Sequence, residues 1–234
     1  FAVGEAAGTH GVYRPGGSAL NAGQTGSARA ASYIAARYTD TPQEDDSFRE
    51  VVEQAVAEMS AIARSALADG GADAGELWDQ AERRMSQCAG AVRIHREIME
   101  AVHKVKSQLD IFKEDASSLV HIERPGQLGW VYRLRDMLIS QYVYLNAMAD
   151  YVNNGGKSRG SALYSDPGGS LPSEKLPELF CFILDDQTRG DQIQEILYTG
   201  EGCEAQWRQV REIPGEEDFF ENIWRTFREN GNIY

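Results

Sequence analysis

The feature that most constrains this chain is a series of apolar stripes at helical spacing between residues 48 and 152. Phe48, Val51, Val52, Ala55, Val56, Met59, Ile62 and Ala66 recur every three or four residues, which fits one face of an α-helix. Asp69-Gly70-Gly71 closes that helix. Leu77, Ala81, Met85, Cys88 and Val92 predict a second helix over 76–92. Ile98, Val102, Val105 and Leu109 predict a third over 94–112, and Gly90 leaves open whether these two are separate. Leu134, Leu138, Tyr142, Leu145, Met148 and Val152 predict a fourth after Pro125-Gly126, stopped by Asn153-Asn154-Gly155-Gly156. Such helices bury their apolar faces against one another, so an antiparallel helical bundle is expected over 41–156.

The flanks read differently. Residues 1–38 are rich in Gly, Ala and Ser. Phe1-Ala2-Val3 reads as the last strand of a sheet breaking into a Gly-rich turn, and one short strand forms no sheet. The chain also opens without Met, so a piece of a longer protein is expected. After Pro15-Gly16-Gly17, Ser18 can cap a helix running to about Tyr38. Gly23, Gly26, Ala28 and Ala30 give that helix a small face, open to another backbone or a cofactor. Thr39 to Asp46 is a polar linker. Beyond residue 156 the chain is loop-like, with Leu179–Leu184 expected as a buried strand. Ile193–Tyr198 and Trp207–Ile213 are weaker strand candidates. After Pro214-Gly215 a final helix is expected, with Phe220, Ile223, Trp224 and Phe227 inward. The expected fold is therefore mainly α (α+β overall), in three parts: 1–40, 41–156 and 157–234.

Charge and cysteine usage exclude several functions. Lys plus Arg is 23 and Asp plus Glu is 36, a net charge of −13. Nucleic acid is a poor partner for so acidic a chain, because binding there rests on cations meeting phosphates. No apolar run reaches about 18 residues, so no transmembrane segment is expected. Cys88, Cys181 and Cys203 lie far apart without CxxC spacing, which argues against a zinc site or disulfide framework and fits a reducing cytoplasm. His95 and His103 are eight residues apart, too far for a metal pair one helical turn apart, and His121 has no ligand-spaced partner. Cys88 reads as core, and Trp130, Tyr132, Tyr142, Tyr144 and Tyr151 read as bundle packing. Glu44-Asp45-Asp46 and Glu216-Glu217-Asp218 read as acidic helix starts.

The densest chemistry lies in Gly4-Glu5-Ala6-Ala7-Gly8-Thr9-His10-Gly11-Val12-Tyr13-Arg14-Pro15-Gly16-Gly17-Ser18-Ala19-Leu20. An acid, a histidine and an arginine precede two glycines and a helix start. The free N–H groups of a helix N-terminus attract anions and dipoles. Glycines let a flat group touch the backbone, and a guanidinium holds a carboxylate with two parallel hydrogen bonds.

This segment resembles the C-terminal flavin motif of the succinate dehydrogenase/fumarate reductase flavoprotein family, which reads G-E-x-A and then H-G-x-N-R-L-G-G-N-S-L. The helices that follow resemble that family's C-terminal three-helix bundle, and Lys157-Ser158-Arg159-Gly160-Ser161 resembles its S-R-G motif. The resemblance implies FAD as cofactor, with Glu5 on the ribityl chain and Ala19 and Leu20 beside the flavin pyrimidine ring. It implies a carboxylate small-molecule substrate, clamped by Arg14 and lying on the Gly17 backbone, and hydride transfer between substrate and flavin. It further implies an iron–sulfur electron-transfer subunit as partner, through which the protein would meet a membrane peripherally. Arg159 would tie the bundle to the flavin domain. Tyr13, Pro15 and Ser18-Ala19 depart from the pattern and mark a divergent branch. No GxGxxG follows a strand, so this chain by itself is expected to bind FAD weakly or not at all and to be inactive. The alternative is a helical interaction module that docks an electron-transfer partner and does no catalysis.

Overall fold

A computed structural model of the chain describes residues 1–8, 17–42, 44–68, 70–187, 189–210, 225–226 and 228–229. Those residues are mainly helical. Five α-helices follow one another: α1 (Ser18–Arg37), α2 (Asp45–Ala66), α3 (Ala74–Cys88), α4 (His95–Asp115) and α5 (Leu128–Asn153). Their bounds follow local chemistry. The Asp73 side chain accepts hydrogen bonds from the N–H groups of Gly75 (2.8 Å) and Glu76 (3.2 Å), which moves the start of α3 two residues ahead of the expected Glu76. The chain bends at 89–91, so α3 and α4 are separate helices and Val92 belongs to a strand. α5 stops where the Asn-Asn-Gly-Gly signal placed its end, with Gly155 at φ 87°.

Two short parallel pairings fix the order of directions. β1 (Ala72–Asp73), before α3, pairs with β3 (Val120–His121), after α4. β2 (Val92–Arg93), between α3 and α4, pairs with β4 (Leu163–Tyr164), after α5. The first pairing gathers the start of α3, the end of α4 and the start of α5 at one end of the molecule. The second gathers the opposite ends of the same helices. The Ile122 N–H donates to the Ala66 carbonyl (2.9 Å), bringing the end of α2 to the first end. From α2 to α5, each helix therefore runs opposite to the one before it.

The core lies among α3, α4 and α5. Ile98, Val105, Leu134, Leu138 and Leu145 are fully buried, with Val120, Ile122 and Val131 closing one end. Removing each such side chain from water contributes about 1.5–3 kcal/mol. Cys88 is in this core, as expected, and His95 and His103 are on the exposed side of α4. The aromatic group divides: Tyr142 is buried and the Tyr132 hydroxyl donates to the Met59 carbonyl (3.1 Å), whereas Trp130 and Tyr144 face water.

The C-terminal part departs from the reading in two places. Leu179–Leu184 is not a buried strand. Its first half begins with a 3₁₀ turn (Glu178–Phe180), Phe182 and Leu184 make single bridges to Ser170 and Ser158, and Leu184 is 69% exposed. A continuous apolar run cannot distinguish a strand from a segment pinned at intervals. The second strand of the hairpin is also displaced: β5 (Gln192–Tyr198) pairs antiparallel with β6 (Cys203–Gln209), earlier than the expected Trp207–Ile213. The hairpin rests on α5, where Gln194 Nε2 and Trp207 Nε1 both donate to Asp150 Oδ2 at 2.7 and 2.9 Å. The expected final helix lies largely outside the described residues; Arg225, Thr226, Arg228 and Glu229 are helical.

Candidate functional site

The opening segment is built around glycines. Phe1-Ala2-Val3 forms no strand; Gly4–Ala7 is one turn of 3₁₀ helix. Gly4 (φ 64°) and Gly8 (φ 66°) bracket it in the left-handed region, where only glycine enters without strain. This corrects the expected strand-to-helix crossing to a turn-to-helix one. The physical reason is that an isolated strand has no ladder to join, whereas a glycine-bracketed turn satisfies its own backbone through the Gly8 N–H to Glu5 carbonyl bond (3.0 Å).

That turn lies against α1. A Cβ on Gly4 would sit 3.4 Å from Gly23 Cα, and one on Gly26 would sit 3.6 Å from Val3 Cβ. The small face read from Gly23 and Gly26 is thus used for close backbone approach, by the chain's own opening residues. It places the Glu5 turn beside the second and third turns of α1. Gly17 is at the entrance of that helix, exposed, with no described residue within 4 Å of where a Cβ would be. The first turn holds no acidic residue. Ala19 is half-buried and Leu20 is 77% exposed. Gly17, Ala19 and Leu20 stand at the start of α1, where the helix presents its positive end, and Glu5 lies in the turn packed against the Gly23 and Gly26 face. Thr9 to Gly16, with His10 and Arg14, lie outside the described residues.

A second polar cluster surrounds Lys157-Ser158-Arg159. Ser158 is buried; its hydroxyl receives the Tyr164 N–H at 2.8 Å. The N–H groups of Arg159 and Ala162 bond each other's carbonyls at 3.1 Å, which makes a tight turn with Gly160 at φ 58° and leaves Arg159 exposed. Lys157 Nζ reaches Asp166 Oδ2 at 2.9 Å and draws that carboxyl below its usual range. The Tyr151 hydroxyl bonds Asp185; burial, and then that carboxylate, push the tyrosine up to about 12. Burial works against the Asp185 charge, but bonds from Tyr151 and from the Gln187 and Lys157 N–H groups more than offset it. This cluster fastens the segment after α5 to the bundle end.

One buried charge has no counterpart in the reading of the sequence. Arg84 is 9% exposed, and burial holds its guanidinium below the usual range. Its Nη1 donates to Gln141 Oε1 (2.9 Å) on α5, and its Nη2 to Gln108 Oε1 (2.7 Å) on α4. Gln141 Nε2 donates in turn to the Ala81 carbonyl (2.8 Å). The signal was present: residues 77, 81, 84 and 88 share helical spacing, so a cation there stands inside an apolar stripe.

Among the described residues no group of three His, Cys, Asp or Glu side chains is placed to hold a metal ion. Nor is any described helix long and apolar enough to cross a membrane. Compared with known proteins, the chain matches no family model, no curated protein and no solved structure.

Proposed function

We propose that this chain is the C-terminal portion of an FAD-dependent oxidoreductase of the succinate dehydrogenase/fumarate reductase type, and that its helices are the counterpart of that family's C-terminal bundle. The observation that carries the reading is that the Glu5 turn packs against the small face of α1, the helix that Gly17 leads in. In this proposal those residues meet a flavin end-on. Gly17 leaves room for a flat group, and the first turn of α1 carries no acid that would repel negative charge. Ala19 and Leu20 would lie beside the pyrimidine ring, and Glu5 would accept a hydrogen bond from the ribityl chain.

FAD supplies the hydride-transfer chemistry when bound. The chain's own part is orientation and charge. The helix start favours negative charge on the ring. In this proposal Arg14 holds the substrate carboxylate by a planar two-pronged grip. The Gly17 backbone would line the same space. The iron–sulfur subunit belongs to the same proposal, as the electron partner.

Arg14→Lys tests it in the full-length, FAD-loaded enzyme. Lysine keeps the charge but loses the two parallel bonds. One charge-assisted bond in a desolvated site is worth about 2–4 kcal/mol, or roughly 30- to 1000-fold in kcat/KM with succinate or fumarate. FAD content should stay at the parent level. Full activity in the variant, or loss of flavin, contradicts the assignment of Arg14 to the substrate carboxylate.

A further inference from the structure

We infer that the projecting half of α2 is a docking surface for a basic, amphipathic partner segment. The stripe on α2 is continuous, but the bundle covers only its last part. Ala66 is fully buried and Ile62 packs on the core, whereas Val51, Val56 and Phe48 are 69%, 59% and 57% exposed. From Asp45 to Glu58 no residue is buried. At 1.5 Å per residue these fourteen residues extend about 20 Å. A helix that long is marginal alone in water, and its open apolar stripe gains nothing there.

Charge selects the occupant. Residues 44–58 carry six acids, Glu44, Asp45, Asp46, Glu50, Glu53 and Glu58, against one base, Arg49, which is paired with Asp46. Beside the foot of the stripe, a groove of about 790 Å³ opens between α2, α4 and α5, with Ile62, Leu109 and Phe112 along its apolar part and Glu58 and Glu114 among its acids. Its cations are already paired: Lys106 with Asp110, Lys113 with Glu201 and Arg135 with Asp136. A second copy would bring the same negative charge to the stripe, and an anionic bilayer would be repelled likewise. A helix with an apolar face and lysine or arginine along it complements both the stripe and the field. The inference does not rest on the flavin reading and holds if the chain binds no flavin.

The probe is a fluorescent leucine–lysine peptide patterned as an amphipathic helix, titrated with the chain at about 0.15 M salt. Two controls carry the same composition scrambled, and leucine–glutamate in the same pattern. Saturable one-to-one binding of the patterned basic peptide alone is expected. Phe48→Asp with Val51→Asp should weaken it at least tenfold, although the variant adds two negative charges. Both residues are exposed, so the variant's circular dichroism and melting should match the parent's. Equal or tighter binding by the variant would mean attraction to net charge only and overturns the inference, as does no binding at all. Dimers in light scattering that the variant abolishes would assign the stripe to a second copy. Binding to phosphatidylcholine vesicles in place of the peptide would assign it to a membrane. Either result also overturns the inference.

Discussion

The two ends of this chain use helices for opposite purposes. In α3–α5, long aliphatic side chains interlock until Ile98, Val105, Leu134, Leu138 and Leu145 see no solvent. In α1, twenty residues bury none, and the close contacts are made by Gly23 and Gly26 against Val3 and Gly4. The first arrangement turns side-chain volume into stability. The second discards side chains so that backbone can meet backbone, which yields little stability and leaves α1 without a buried residue. Stability and candidate chemistry are therefore kept apart in the sequence, and the difference can be tested by breaking each part separately.

The largest effect should come from the core. Leu138→Ala leaves a cavity and should cost about 2–5 kcal/mol, read as a shift in the denaturation midpoint. Leu20→Ala, an equal truncation in α1, should cost less than about 0.5 kcal/mol. Equal costs would erase the distinction between the two regions. Next comes the buried cation. Gln141→Leu strips one acceptor from Arg84 and should destabilise by about 1–3 kcal/mol. Adding Arg84→Met should recover part of that loss, because the guanidinium N–H left without an acceptor is then gone. A further loss in the double variant would show that Arg84 is held chiefly by packing.

A smaller and local effect belongs to Gly4. Gly4→Ala places a Cβ in the left-handed region, close to Gly23, at a cost of about 1 kcal/mol. Amide exchange at residues 4–8 should speed up while the bundle's melting is unchanged. The smallest effect is on acid stability. Asp115 accepts bonds from Ser117, Ser118 and Ser65, which lower its carboxyl to about 2. A carboxyl lowered on folding lends stability above its unfolded value near 4 and loses it as pH falls through about 2. Asp115→Asn should therefore flatten the fall in melting temperature between pH 4 and pH 2, and an unchanged slope would remove Asp115 from the acid response.

The helices were legible because their period is carried by many residues. The stripes around Leu134–Val152 and Phe48–Ala66 survive any one exception, and the Asn153-Gly156 stop is spelled out in turn chemistry. The Glu5–Leu20 motif was legible as residue types but not as shape. A strand and a glycine-bracketed 3₁₀ turn both accept Phe-Ala-Val-Gly-Glu, and among the described residues no strand pairs with 1–3. Leu179–Leu184 misled for a related reason, since apolar composition does not say whether neighbours exist to cover it. That α2 leaves the bundle halfway was invisible, because its stripe is written identically in the covered and uncovered halves.

The central claim is that the glycine-built opening segment, and not the bundle, meets the ligand. The most direct measurement is a titration of the isotope-labelled chain with FMN, which carries the isoalloxazine and ribityl groups of FAD, followed by amide chemical shifts. Weak, saturable shifts confined to residues 4–8 and 17–26, with Ala19 and Leu20 among the largest, are predicted, and Glu5→Ala should reduce them. Shifts centred on α3–α5 would contradict the claim.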